Sequence, residues 1–79
     1  MWKEGTIGVP KKSGGYTVVQ YWVKVYEKKS KYGIEGGKIS KATLKIKGEV
    51  VYNYDRGLDI PPQNDAAETA LAILIYEFN

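Results

Sequence analysis

The segment Tyr16-Thr-Val-Val-Gln-Tyr-Trp-Val-Lys-Val-Tyr26 constrains the fold of this chain more than any other. It is dominated by β-branched and aromatic residues, and one parity, Val19, Tyr21, Val23 and Val25, is apolar throughout. That alternation makes a strand with one buried face. The other parity, Gln20, Trp22, Lys24 and Tyr26, mixes rings with charge and is left for solvent or a partner. So long a half-buried strand needs neighbours along its edges and a cover for its apolar side.

The neighbours are legible downstream. Lys38 to Ile46 sets Ala42, Leu44 and Ile46 against Lys41, Thr43 and Lys45, and Glu49 to Tyr54 sets Val50, Tyr52 and Tyr54 against Val51 and Asn53. A two-residue loop at Lys47-Gly48 would turn Glu49 and Asn53 onto the apolar face. A three-residue loop, Ile46-Lys47-Gly48, instead pairs Lys45 with Glu49 and aligns Ala42, Leu44, Val50, Tyr52 and Tyr54, with Gly48 left-handed in a type I turn with bulge. The N-terminal stretch Trp2 to Val9 reads as a short strand returning across the Pro10–Gly15 turn, and Glu27 to Gly37 as an irregular, glycine-rich connection.

After a corner at Asp55–Pro62 comes a helix, capped by Asn64 or Asp65, where Asp65 and Glu68 have the spacing of a capping box. Ala67, Ala70, Leu71, Leu74, Ile75 and Phe78 form an apolar stripe, broadened by Ile73 and Tyr76. The expected fold is α+β: a four-stranded antiparallel sheet with one C-terminal helix packed on one face (ββββα, two-layer), as a single domain over residues 1–79.

Composition narrows the chemistry. The chain has no cysteine and no histidine, so disulfides, thiolate nucleophiles, the usual zinc clusters and imidazole proton transfer are excluded. The reading is therefore of a binding module rather than an enzyme, with no catalytic residue, cofactor or metal expected. Its net charge of +3 is unevenly spread: residues 1–48 hold eleven lysines and three acids, a balance of +8, whereas residues 49–79 hold Arg56 and six acids, a balance of −5. Such a molecule carries a basic sheet surface beside an acidic helix. No leader-like run follows Met1, and the apolar stretch Ala70–Tyr76 is far below the ~20 residues of a membrane span, so a cytoplasmic protein with no membrane partner is expected.

Three constellations could bind a partner or shape the fold. Trp22, Lys24 and Tyr26 share an outward face with Lys41, Thr43 and Lys45, the mixture of rings and ammonium groups that a single-stranded nucleic-acid platform uses. The same face, centred on Val18, Trp22, Tyr26 and Val51 with lysines as rim, also suits a protein partner or homodimer, and a solvated lysine-rich face is the plainest alternative. Lys28, Lys29 and Lys31 beside Gly33, Gly36 and Gly37 are candidates for an anion-holding loop, although no phosphate-loop pattern is present and left-handed turns are the better account of the glycines. At the corner, Asp55, Arg56 and Asp59 suggest a bidentate arginine–carboxylate contact that fixes the chain direction.

Three phrases, Trp2-x-x-Gly5-x-Ile7, Tyr32-Gly-Ile-Glu-Gly-Gly-Lys-Ile-Ser-Lys41 and Tyr54-Asp-Arg-Gly-Leu-Asp59 leading to Pro62, together resemble a family of small uncharacterised proteins of Gram-positive gut bacteria and their phages and mobile elements. The likeness covers most of the chain, with a longer Val9–Gly15 segment here. It implies a cytoplasmic accessory protein of mobile-element origin, and it implies no reaction and transfers no catalytic residue.

Overall fold

The computed structural model describes all 79 residues. Strands β1 (Trp2–Pro10), β2 (Tyr16–Val25), β3 (Ile39–Ile46), β4 (Glu49–Asp55) and β5 (Leu58–Ile60) are followed by helix α1 (Asp65–Phe78). They form one antiparallel meander in the order β1-β2-β3-β4-β5, with α1 packed across β1, β2 and β3. The two-layer α+β architecture is as expected, but the sheet has five strands rather than four. Leu58–Ile60 is too short to show alternation in sequence. It becomes a strand because Arg56 and Gly57 turn the chain back, so that Leu58 pairs with Tyr54 and Ile60 with Asn53.

The inner face of the sheet and the helix stripe make the core, in which Val19, Val23, Ile39, Leu44 and Leu74 are fully buried. Ala67 and Ala70 are buried too, and their small side chains let α1 lie close to the strands. Ile73 and Tyr76 do not broaden that burial: Tyr76 is 92% exposed, because it lies on the far side of a helix that has only one neighbouring layer. Asn64 is the N-cap, its Oδ1 accepting from Ala67 N at 2.8 Å. Asp65 is then the first helical residue, so the Asp65–Glu68 capping box does not form; both carboxylates instead sit in the first turn, where the helix dipole favours them.

The β3–β4 hairpin places its extra residue elsewhere than expected. Ile46 pairs with Glu49 across a two-residue turn in which Lys47 (φ 51°) and Gly48 (φ 81°) are both left-handed, the requirement of a type I′ turn. That register alone would misplace every later side chain. A bulge at Val50–Val51 corrects it, since Lys45 faces Val50 but Leu44 faces Tyr52. Ala42, Leu44, Tyr52 and Tyr54 thus share the inner face as expected, while Val51 turns into the core and Val50 turns out. The Val51 carbonyl, free of the ladder, accepts from Gln63 N at 2.9 Å and anchors the proline-containing link to the helix.

The connection between β2 and β3 is held from the far end of the chain. Asn79 Oδ1 accepts from Lys38 N and Ile39 N at 3.1 Å each, and its Nδ2 donates to Ile34 O at 2.9 Å. The amide lies so close to Gly37 that any side chain there would collide with it.

Candidate nucleic-acid interface

The outer face of the sheet has no helix over it. β2 sends Gln20, Trp22 and Lys24 to this side and β3 sends Lys41, Thr43 and Lys45, because both strands alternate from the same buried core. Trp22 pairs directly with Thr43, and Lys24 with Lys41. Two ammonium groups opposite one another repel. Lys41 is relieved by Asp55 at 3.5 Å, the one ion pair in the protein. Lys45 reaches back over the Trp22 ring, its Nζ 5.4 Å from the ring centre.

Tyr26 lies just beyond the end of β2, at the rim of the face rather than within it. The Lys24 ammonium sits 5.4 Å from its ring centre and is the main reason its phenol lies below the ordinary tyrosine value, with the Ser40 hydroxyl adding to the effect. Five of the six expected residues therefore share one surface, and the sixth borders it.

Trp2 belongs to this site and was not legible as such. β1 pairs with β2 so that Trp2 faces Lys24 and Glu4 faces Trp22, which makes Trp2 and Trp22 diagonal cross-strand neighbours with α-carbons roughly 7–8 Å apart. With Thr43 and Lys45 they line a shallow cleft of about 410 Å³. The signal was the parity of Trp2, readable only once the β1–β2 register is known. A second recess of about 580 Å³ continues along the same face, lined among others by Tyr16, Val18, Gln20, Lys11 and Lys47. Val51 is absent from this surface, being buried through the bulge, and Val50 takes its place.

A polar chain runs off the cleft floor. Thr43 Oγ1 donates to Asn53 Oδ1 at 2.7 Å, and Asn53 Nδ2 donates to Asp59 Oδ2 at 2.9 Å. Asp59 is thereby spent on tying β5 to β4, and Asp55 on Lys41. Arg56 contacts neither acid, which corrects the expected bidentate corner. Its guanidinium stacks on the Tyr32 ring, 4.7 Å from the centre, and its backbone N donates to Ser40 O. The left-handed backbone at Arg56 (φ 56°) aims the side chain along the sheet end toward Tyr32, whose carbonyl also accepts from the Tyr54 hydroxyl.

Lys28, Lys29 and Lys31 are exposed on the β2–β3 connection, with Lys31 Nζ 5.2 Å from the Tyr32 ring centre. The backbone donors of Ser30, Tyr32, Gly33, Gly36 and Gly37 all go to acceptors within this connection, and those of Lys38 and Ile39 go to Asn79. The amides of the three glycines are thus spent on the loop's own turns, and what the connection presents to an anion is its three lysines.

Across the molecule, lysines populate the sheet surface while α1 carries Asp65, Glu68 and Glu77 and no basic residue. No helix is long and apolar enough to cross a membrane. No curated protein and no solved structure matches the chain. Its full length, residues 1–79, does match one described family, and the chain belongs to that family, a domain of unknown function (DUF7678).

Proposed function

We propose that this protein is a non-enzymatic binding module that takes single-stranded nucleic acid on its outer sheet face, working in the cytoplasm as an accessory of a phage or other mobile element. The observation supporting this is the pair Trp2 and Trp22, flanking one open cleft with Lys45 at its side and Lys24 and Lys41 beyond. A base stacking on an exposed ring contributes ~1–3 kcal/mol, more than the ~0.5–1 kcal/mol of an exposed cation–π contact. A base can therefore displace Lys45 from Trp22, and the freed ammonium meets a phosphate. Lysines act as point charges without the planar fork of arginine, so binding tolerates many sequences. The motif resemblance carries the mobile-element part of the proposal.

Tryptophan fluorescence titrated with oligothymidylate and with single-stranded RNA at two salt concentrations tests it. The expected result is quenching, an affinity that falls steeply with salt, and a loss of about tenfold or more in Trp22→Ala, which corresponds to one stacked base. No quenching at low salt, or binding that ignores Trp22→Ala, would sink the proposal. The exposed Tyr16 and Val18 around the second recess favour another reading, a protein or homo-oligomeric interface on this face. Its mark is a mass that rises with protein concentration, barely responds to salt and falls in Trp22→Ala.

A further inference from the structure

The two edges of the sheet are unlike. β5 closes one side with the short segment Leu58–Ile60, whereas β1 closes the other with nine residues, Trp2–Pro10, and no element pairs along its outer side. Long free edges are ordinarily blunted by bulges, prolines or charges. β1 has no bulge against β2, its charges Lys3 and Glu4 lie near one end, and its proline is at the other.

Which backbone groups face outward follows from one pair. Val25 N donates to Met1 O at 2.8 Å and Met1 N to Val25 O at 2.9 Å, and the register runs unbroken from Trp2↔Lys24 to Pro10↔Tyr16. Hydrogen-bonded pairs alternate in an antiparallel ladder. Lys3, Gly5, Ile7 and Val9 therefore turn their groups to β2, and Trp2, Glu4, Thr6 and Gly8 turn theirs outward. No hydrogen bond elsewhere in the molecule uses those four donors.

We infer that a second copy of this chain adds to this edge, β1 antiparallel to β1 about a two-fold axis at Gly5, making one continuous sheet through both subunits. In this register Trp2 pairs with Gly8 of the partner subunit and Glu4 with Thr6 of the partner subunit, so all four outward donors meet carbonyls. Pro10, which has no N–H to give, falls outside the ladder. Centring on Thr6 instead would set Trp2 against proline, and centring on Glu4 would set two carboxylates face to face. Gly5 meets its own copy at a non-hydrogen-bonded position, where α-carbons approach to ~4.5 Å and no side chain intervenes.

The side chains agree with the backbone. Trp2, Tyr16 and Val18 are 57%, 67% and 56% exposed and lie on the outer face. The Tyr16 ring already leans over Gly8, 3.4 Å from where a Cβ would stand. The pairing sets Trp2 opposite Gly8 of the partner subunit and against the partner's Tyr16, whose ring covers that glycine, and the two-fold does so twice. Ring against ring is a favourable cross-strand arrangement. Donor pattern, glycine positions and apolar row are thus self-complementary, which is what an isologous interface demands and what an unrelated strand would have no reason to match.

Sedimentation velocity on the full chain across a concentration series, free of nucleic acid, with amide hydrogen exchange on the same samples, tests the pairing. The expected result is a species of twice 8.9 kDa, insensitive to salt, in which the amides of Trp2, Glu4, Thr6 and Gly8 gain protection as it fills. Those of Lys3, Gly5, Ile7 and Val9 are protected throughout. Thr6→Pro removes an outward donor without touching the ladder to β2 and should leave a folded monomer. A monomer at every concentration, a dimer whose four outward amides still exchange freely, or a folded Thr6→Pro dimer overturns the inference. Should Thr6→Pro not fold, the exchange pattern of the unaltered chain decides. The nucleic-acid reading stands or falls separately, since it is read by quenching and salt dependence.

Discussion

The side-chain amide of Asn79 lies against the α-carbon of Gly37 and binds the backbone on both sides of it, at Ile34 and at Lys38 and Ile39. One side chain thereby satisfies two donors and one acceptor that are partly buried. Asn79→Ala strands all three and should cost about 2–3 kcal/mol in urea denaturation, because each unsatisfied buried group costs ~1–3 kcal/mol with partial relief from water. Gly37→Ala should destabilise comparably by expelling the amide. A change below ~0.5 kcal/mol in both would show that the clamp is not formed in solution.

The bulge makes two adjacent valines unequal. Val51 is buried at 7% exposure and Val50 is exposed at 39%. Val51→Ala should cost about 1–2 kcal/mol through the cavity left behind, and Val50→Ala less than ~0.5 kcal/mol. The opposite order would mean that the strand alternates without a bulge.

Lys47 holds a left-handed conformation that lysine disfavours. Asn-Gly is the preferred pair in a type I′ turn, so Lys47→Asn should raise stability by roughly 0.5–1 kcal/mol. Thermal unfolding by circular dichroism reads this as a higher midpoint, and a lower midpoint would contradict the turn assignment.

Tyr52 supplies a pH signature. Burial pushes its phenol up to about 12, with Tyr54 and Glu35 raising it further in the same direction. An unfolded tyrosine titrates near ~10, so folding favours the neutral form. This contribution is whole below pH ~10 and is lost as pH rises toward about 12. Tyr52→Phe has nothing to lose there. Between those limits its stability relative to the unaltered protein should improve by roughly 2 kcal/mol, measured by denaturant titration at successive pH values.

Arg56 offers a double-mutant cycle. Because its guanidinium meets Tyr32 and not a carboxylate, Arg56→Ala and Tyr32→Ala should couple by ~0.5–1 kcal/mol, while Arg56→Ala and Asp59→Ala add. Coupling to Asp59 instead would restore the arginine–carboxylate corner.

Periodicity carried the long elements. β2, β3, β4 and α1 each repeat their pattern often enough to declare a buried side, and the lysines and Trp22 on the opposite parity follow at once. β5 was hidden because three residues repeat nothing. The bulge was hidden because Val50 and Val51 are chemically identical: a register differing by two residues keeps the faces of Ala42, Leu44, Tyr52 and Tyr54 while pairing them differently, and Val50 and Val51 exchange places. Trp2 was missed because its position depends on how β1 aligns with β2. Asn79 was missed because its partners lie 40 residues away in sequence, beyond any local pattern.

Every strand of the meander pairs with its neighbour in sequence, so the sheet assembles by successive local hairpins with little loop closure between them. The Asn79 clamp is of another kind: it closes only after α1 has docked, across nearly the whole sheet. The β2–β3 connection is thus tied twice: Tyr54 and Arg56 hold Tyr32 to the sheet side, and Asn79 holds Ile34, Lys38 and Ile39 to the helix. The charged end of the molecule therefore joins the two layers, and a disturbance of the helix is felt there as well as in the core.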